Sequence, residues 1–105
     1  MVIIETTFFT RQIQRLLSDE EYRQLQADLV NHPEKGEIIQ GSGGLRKARW
    51  SAQGRGKRGG IRVIYYWVVK QDKILMLMAY AKNEQENLTP EQVKILRQIV
   101  ESEYP

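Results

Sequence analysis

Three cations stand where they can act together on one phosphate. Lys47 and Arg49 lie two residues apart in a run with strand-like alternation, so their side chains point to the same face. Arg62 begins the next apolar run, close to the loop that joins the two runs. If the runs pair as a hairpin, the three cations converge. Such a patch clamps a phosphate and stabilises the charge that grows in a phosphoryl-transfer transition state.

The same pattern has a second interpretation, to which we give equal weight. In a sheet that is covered on one side only, Lys47, Arg49 and Arg62 are the polar outer face. Under the catalytic interpretation, the neighbouring cations disfavour the charged form of Lys47, which suits a general base. Spacing alone does not separate a solvated face from a catalytic one.

The distribution of charge favours a polyanionic partner. Residues 38–71 include eight Lys and Arg and no Asp or Glu, which leaves the other eight cations with all 13 acids. Such a patch raises the local concentration of polyanions, of which nucleic acid is the first to consider. We predict that the glycine-rich loop 54–60 contacts phosphates through Arg55, Lys57 and Arg58, although a charged linker has the same composition.

Residues for several other chemistries are missing. The chain has no cysteine, which excludes disulfide and thiolate chemistry. Its only histidine, His32, precedes Pro33 at a predicted helix end, where a solvent-facing role is favoured. A zinc site therefore has no ligands, and no acidic cluster suggests a two-metal nuclease. The GSGG run at 41–44 lacks the lysine and hydroxyl residue of a P-loop. We expect neither metal nor cofactor.

Aromatic residues of these strands are candidates for base stacking. Tyr66 has the same parity as Arg62, which makes it a better candidate than Tyr65. Tyr80, at the end of the last predicted strand, is a second candidate. In strands such side chains more often belong to the core.

The elements that position these residues follow the order β-α-α-β-β-β-α. Cap residues, breakers and periodicity predict strands at 2–4, 45–51, 61–69 and 74–80, helices that follow Thr6 or Thr7, Ser18 and Thr89, and an end of the second helix before Pro33. The near-continuous apolar run 61–69 predicts a central strand buried on both faces.

These elements predict an α+β fold. We expect one domain over residues 1–105, in which a small antiparallel sheet packs with an N-terminal helical hairpin and a C-terminal helix. No run has the form of a signal peptide or the length to cross a bilayer, so we expect a soluble cytoplasmic protein without membrane partners.

Four blocks, by their order and spacing, resemble the RelE superfamily of bacterial toxins, in its HigB-like branch. They are SDEEY at 18–22, GSGGLRK at 41–47, GKRGG at 56–60 with RVIYY at 62–66, and YAKNE at 80–84. The resemblance implies a RelE-like fold and the toxin of a type II toxin–antitoxin pair. It further implies an mRNA interferase, a ribosome-dependent endoribonuclease that cuts mRNA in the A site and inhibits translation. The ribose 2′-hydroxyl would attack the adjacent phosphate without a metal.

The resemblance also implies residue roles. Lys47 and Arg49 would activate the 2′-hydroxyl and stabilise charge, and Arg62 would hold the scissile phosphate. Where some family members have arginine, histidine or a late tyrosine, this chain has Asn83 and Thr89. Lys82 and Tyr80 are therefore the candidates for the general acid. Residues expected to bind RNA or the ribosome are Arg46, Arg55, Lys57, Arg58, Tyr66 and Asn83.

The partners implied are a cognate antitoxin, the mRNA, and the ribosome with its A-site rRNA. Operator DNA would be contacted only through the antitoxin complex. Two alternatives stay open, because fold alone does not determine function. One is a toxin of the same fold without nuclease activity that acts on another target such as gyrase. The other is a non-catalytic, nucleic-acid-binding regulatory module.

Overall fold

The computed structural model describes residues 1–51 and 60–104, which form a five-stranded sheet with helices on both faces. The strands lie in the order β1-β5-β4-β3-β2. The elements are β1 (Val2–Glu5), α1 (Thr7–Leu16), α2 (Asp19–Asn31), β2 (Glu37–Ile38), β3 (Arg46–Trp50), β4 (Ile61–Val68), β5 (Lys73–Ala81) and α3 (Pro90–Glu103). A 3₁₀ turn, Val69–Gln71, joins β4 to β5. The predicted α+β fold class is confirmed.

Two features of the sheet go beyond the predicted element order. β1 pairs with β5 in parallel, so the sheet is mixed, whereas the other pairings are antiparallel. The predicted connector 34–44 also contains β2, an edge strand of two residues that pairs with β3. A strand of two residues has no alternation that a sequence pattern can reveal.

Side-chain caps start all three helices where the sequence predicts. Thr6 accepts a hydrogen bond from the Phe9 amide at 3.0 Å. Ser18 and Thr89 each form a reciprocal capping box with the third residue of the helix that follows. Each box satisfies two backbone amides that would otherwise lack partners at a helix start. Among the described residues, none of the helices is long and apolar enough to span a membrane.

The core has two layers, one on each face of the sheet. α1 and α2 cover one face, with a cluster that includes Phe9, Leu25, Tyr65 and Met76. α3 covers the other face, hereafter the α3 face, with a cluster that includes Leu45, Ile64, Leu77, Leu96 and Val100. The central strand β4 contributes to both clusters, as its continuous hydrophobicity predicts.

β5 has one residue more than β4 in the paired region. Ile64 lies opposite Met78, but Tyr65 lies opposite Met76, which leaves Leu77 as the extra residue of a β-bulge. Leu77 and Met78 consequently both pack on the α3 face. Beyond the bulge the alternation of β5 is inverted, because Ala79 and Ala81 face α1 and α2 while Tyr80 turns to the α3 face.

α1 completes the outer edge of β5 where β1 ends. The Thr6 amide donates to the Met76 carbonyl at 3.1 Å, and the Thr6 hydroxyl donates to the Leu77 carbonyl at 3.2 Å. The Gln12 side-chain carbonyl accepts from the Ala79 amide at 2.9 Å. The bulge is thus held by the cap and one side chain of α1.

A partly buried carboxylate joins β1 to both N-terminal helices. Glu5 accepts hydrogen bonds from the Thr10 hydroxyl at 2.6 Å and from the Tyr22 phenol at 2.5 Å. Burial and the contact with Glu5 raise the pKa of Tyr22 far above its ordinary value. The native state therefore binds the Tyr22 proton more tightly than the unfolded chain does.

We predict that Tyr22→Phe lowers the free energy of unfolding by about 1–2 kcal/mol at pH 7, because a hydrogen bond to a carboxylate is lost. Above pH ~10 the unfolded state releases the phenol proton while the native state retains it, so wild-type stability falls as pH rises. Tyr22→Phe should lack this part of the alkaline decline.

Urea denaturation between pH 7 and pH 11 measures both effects. Tyr104→Phe is the matched control, since Tyr104 packs on the opposite face of the sheet from Tyr22 and its phenol makes no hydrogen bond to the described residues. Equal alkaline slopes for wild type and Tyr22→Phe would contradict the assignment.

Candidate functional site

Arg49, Arg62 and Tyr80 form a row across β3, β4 and β5. The register pairs Arg49 with Arg62, and Arg62 with Tyr80. Residues directly opposite in an antiparallel pair share a face, with Cβ atoms about 4.5–5.5 Å apart. Lys47 lies two residues before Arg49, in the neighbouring row opposite Ile64. The three predicted cations are thus brought to the α3 face, together with Tyr80.

Arg62 supplies a buried positive charge at the centre of this row. Its side chain is only 6% exposed, and its guanidinium donates to the Ile61 carbonyl at 3.1 Å. Burying a charge is costly unless its hydrogen bonds are satisfied. A fixed charge in a low-dielectric setting acts on an anion more strongly than one in water. Its burial makes Arg62 the first candidate of the row for holding an anion.

Tyr80 places a phenol beside this charge. The side chain is 6% exposed, and its buried hydroxyl has no hydrogen-bond partner among residues 1–51 and 60–104. Buried polar atoms are nearly always paired, so an unpaired hydroxyl next to a cationic site fits a contact with a ligand. Burial raises the pKa of Tyr80, and the nearby Arg62 charge partly opposes the rise. At neutral pH the phenol keeps its proton and is a hydrogen-bond donor.

The remaining cations of the patch are accessible and lack acidic partners. Lys47 is half-buried, and its ammonium donates to the Asn87 side-chain carbonyl at 3.0 Å. Arg49 and Lys82 are exposed. Within residues 1–51 and 60–104, none of these three forms an ion pair with a carboxylate. Their charge is therefore available to an incoming anion.

The turn after β5 lies beside the start of β4. The Lys82 amide donates to the Gly60 carbonyl at 3.1 Å. Gly60 has φ +69°, and a Cβ there would lie 2.2 Å from the Trp50 carbonyl oxygen, so only glycine fits. This contact puts Lys82 and Asn83, both exposed, close to the strand that carries Arg62.

Other predicted residues lie elsewhere. Arg46 pairs with Tyr65 on the face covered by α1 and α2, where its guanidinium donates to the carbonyls of Glu34 and Gly36 at 3.1 and 2.9 Å. It fixes the connector before β3 and is not brought to the row. Tyr66 is half-buried on the α3 face. The predictions for Arg55, Lys57 and Arg58 concern residues that lie outside the described ranges.

Sequence reasoning missed two neighbours of Lys47. One is Asn87, a loop residue 40 positions away whose contact no local pattern signals. The other is Glu37, which lies opposite Lys47 in the short strand β2. Among the described residues, no group of three or more His, Asp or Glu side chains could hold a metal ion.

Two solved structures share the fold of this chain. The chain resembles the structure of the intact E. coli RelBE toxin–antitoxin complex, with 12% identity, a TM-score of 0.56, and coverage of 76% of this chain and 94% of that one. It also resembles a mutant of the E. coli toxin RelE in the free state, with 15% identity, a TM-score of 0.53, and coverage of 81% and 86%. Both likenesses establish the fold.

A family model provides the assignment that these structures alone do not. The model, described as the RelE toxin of the RelE / RelB toxin–antitoxin system, matches residues 1–104. It covers every element of the sheet and all three helices. The chain therefore belongs to the RelE toxin family.

Proposed function

We propose that this toxin is a ribosome-dependent endoribonuclease of the HigB-like branch, which cleaves mRNA in the A site and so inhibits translation. The observation that carries the proposal is the row Arg49–Arg62–Tyr80, with Lys47 beside it, on one face of the sheet. A solvated outer face has no need to bury an arginine next to an unpaired phenol.

The chemistry fits these groups without a metal. Lys47 or Arg49 donates a hydrogen bond to the 2′-oxygen and so assists loss of the hydroxyl proton to water, and the freed oxygen attacks the adjacent phosphorus. Arg62 holds the phosphate and stabilises the charge on its oxygens. As the bond to the 5′-oxygen breaks, the Tyr80 phenol donates its proton to that oxygen. The products are a 2′,3′-cyclic phosphate, which can open to a 3′-phosphate, and a free 5′-hydroxyl.

Tyr80 is the better of the two candidates for the general acid. It is buried in the same row as Arg62, whereas Lys82 is exposed in the following turn. We assign Lys82, with Asn83 and the half-buried Tyr66, to contacts with RNA or the ribosome. Arg55, Lys57 and Arg58 are proposed for phosphate contacts, and Arg46 for ribosomal contact only through the exposed part of its side chain.

Residues 1–105 are proposed to act as one domain in the cytoplasm, where ribosomes and mRNA are found.

Translation of a reporter by purified ribosomes, with mapping of mRNA ends, tests the proposed function. We expect cuts only when ribosomes are present, unchanged by a metal chelator once ribosome integrity is verified. Growth arrest with uncut mRNA would contradict the proposed nuclease activity and favour a toxin of the same fold that acts on another target such as gyrase.

We predict that Arg62→Ala abolishes growth arrest and lowers mRNA cleavage by about 10²–10³-fold, because the phosphate loses its buried cation. Arg62→Met keeps most of the side-chain volume and should fail equally, which separates lost charge from lost packing. Arg23→Ala, a change of an exposed arginine on α2, is the control. Melting temperatures verify folding, and full cleavage by folded Arg62→Ala would overturn the assignment.

We predict that Tyr80→Phe reduces cleavage without reducing stability. Loss of an unpaired buried hydroxyl has little cost and relieves desolvation, so the free energy of unfolding should stay equal or rise by up to ~1 kcal/mol. Cleavage should fall by about 10²-fold, the scale of general acid catalysis. A Tyr80→Phe protein that cleaves at the wild-type rate would return the role of acid to Lys82.

We also propose that a cognate antitoxin neutralises the toxin, and that operator DNA is contacted only through their complex. An exposed apolar groove supports a protein partner. It lies between the start of α1 and α3, encloses about 390 Å³, and is bordered by Phe8, Ile95 and Ile99, which are 54%, 47% and 37% exposed. Exposed apolar surface of this kind commonly marks a protein contact. Met78 lines both this groove and the recess beside Tyr80, so an occupant would lie near the site.

We predict that Ile95→Glu weakens neutralisation by the antitoxin at least 10-fold, because a carboxylate is then buried in an apolar contact. mRNA cleavage should be unchanged. Gln98→Glu, which adds the same charge on α3 outside the groove lining, is the control. Titration of antitoxin into the cleavage assay gives both values. Equal inhibition of wild type and Ile95→Glu would exclude the groove as the contact.

A further inference from the structure

Among the described residues, one side chain from a distant loop accepts a hydrogen bond from Lys47. A lysine on a strand has a flexible four-carbon stem and loses rotamer freedom when it is fixed. The Asn87 side-chain carbonyl accepts from the Lys47 ammonium at 3.0 Å and so fixes the end of that stem. No sequence pattern or family match assigns a role to Asn87.

Asn87 is in turn tied to the start of α3. The Gln85 side-chain amide donates to the Asn87 backbone carbonyl at 2.9 Å and to the Gln92 side-chain carbonyl at 2.5 Å. Gln92 is the third residue of α3 and completes its capping box with Thr89. A chain of hydrogen bonds thus runs from the Lys47 ammonium to the first turn of the helix.

α3 is itself anchored on the sheet. Leu96 and Val100 are each 5% exposed and pack in the same cluster as Ile64, the residue opposite Lys47 on β4. Both ends of Lys47 are therefore fixed: its backbone is paired in the sheet, and its ammonium is connected to α3 through Asn87 and Gln85. Rigid placement on both sides is what a reacting group needs to keep a productive geometry.

The neutral amide is well suited to this task. A carboxylate in this place would orient the ammonium but would also repel RNA phosphates and weaken their binding. Asn87 supplies an acceptor without that charge. Glu37, opposite Lys47 on β2, is exposed and forms no ion pair with it.

We propose that Asn87 is a positioning residue, which orients Lys47 toward the scissile nucleotide and makes cleavage depend on the docking of the first turn of α3. The proposal rests on the proposed nuclease function. It assigns to Asn87 no contact with RNA, only the orientation of the lysine that makes one.

The first test compares two substitutions that preserve the shape of Asn87. Asn87→Leu removes the acceptor, and we expect kcat for cleavage of ribosome-bound mRNA to fall about 10–100-fold while KM changes less than about threefold. Asn87→Asp keeps an acceptor and should retain kcat within about threefold of wild type, with a higher KM from its charge. Glu86→Gln, an exposed neighbour in the same loop, is the control.

A double-mutant cycle with Lys47→Met separates positioning from general loop structure. If Asn87 acts through Lys47, Asn87→Leu should have no further effect on cleavage once Lys47 is absent. Gln85→Leu should lower kcat less than Asn87→Leu does. Multiplicative losses in the double mutant, or loss of kcat in Asn87→Asp as large as in Asn87→Leu, would overturn the proposal.

A second test measures the order of the Lys47 side chain and does not depend on mRNA cleavage. NMR relaxation of the Lys47 side chain in the free protein should report a more ordered terminal carbon in wild type and Asn87→Asp than in Asn87→Leu, with unchanged melting temperatures. If wild type does not cleave but this ordering is found, the proposed function fails and the contact stands. If Lys47 is equally mobile in all three proteins, the positioning role is rejected whatever the activity.

Discussion

The site depends on a single irregularity in β5. Strict alternation would turn Tyr80 to the same face as Ile74 and Met76, into the layer under α1 and α2. The extra residue Leu77 inverts the alternation, so that both Met76 and Tyr80 can be buried on opposite faces. Bulges are frequent next to active sites because they redirect a side chain in this way. Here the cap of α1 holds the bulge, which links the N-terminal layer to a residue on the other face.

The buried polar groups of the site destabilise the folded state, and packing of the surrounding elements offsets this loss of stability. A buried guanidinium and an unpaired buried phenol each destabilise a native state. Both lie on strands with packing on two faces, β4 and β5, and Arg62 is also paired on both edges of its strand, which limits movement. Groups held this way need no reorganisation when charge develops on a phosphate, which is the condition under which they stabilise it most.

Sequence reasoning succeeded where local chemistry decides the outcome. Hydroxyl caps fixed the starts of the helices, and alternation put Lys47 and Arg49 on one face with Ala48 on the other. The same parity groups Arg46 with Ala48, so its place on the opposite face was readable from the sequence. The bulge, the parallel pairing of β1 and the Asn87 contact were not readable, because each depends on residues far apart in the chain.

α3 combines a cap that the local sequence predicts with contacts to distant parts of the chain. Its cap is the clearest local signal in the chain, yet the cap residue Gln92 also receives the hydrogen bond from Gln85 that fixes the loop beside Lys47. The face of α3 toward the groove leaves Ile95 and Ile99 half exposed, whereas Leu96 and Val100 hold the helix to the sheet. A partner that binds the exposed face therefore contacts α3, the helix whose first turn is hydrogen-bonded to the loop that orients Lys47. Partner binding and the geometry of the site can then be coupled through one helix, without any contact between the partner and Lys47.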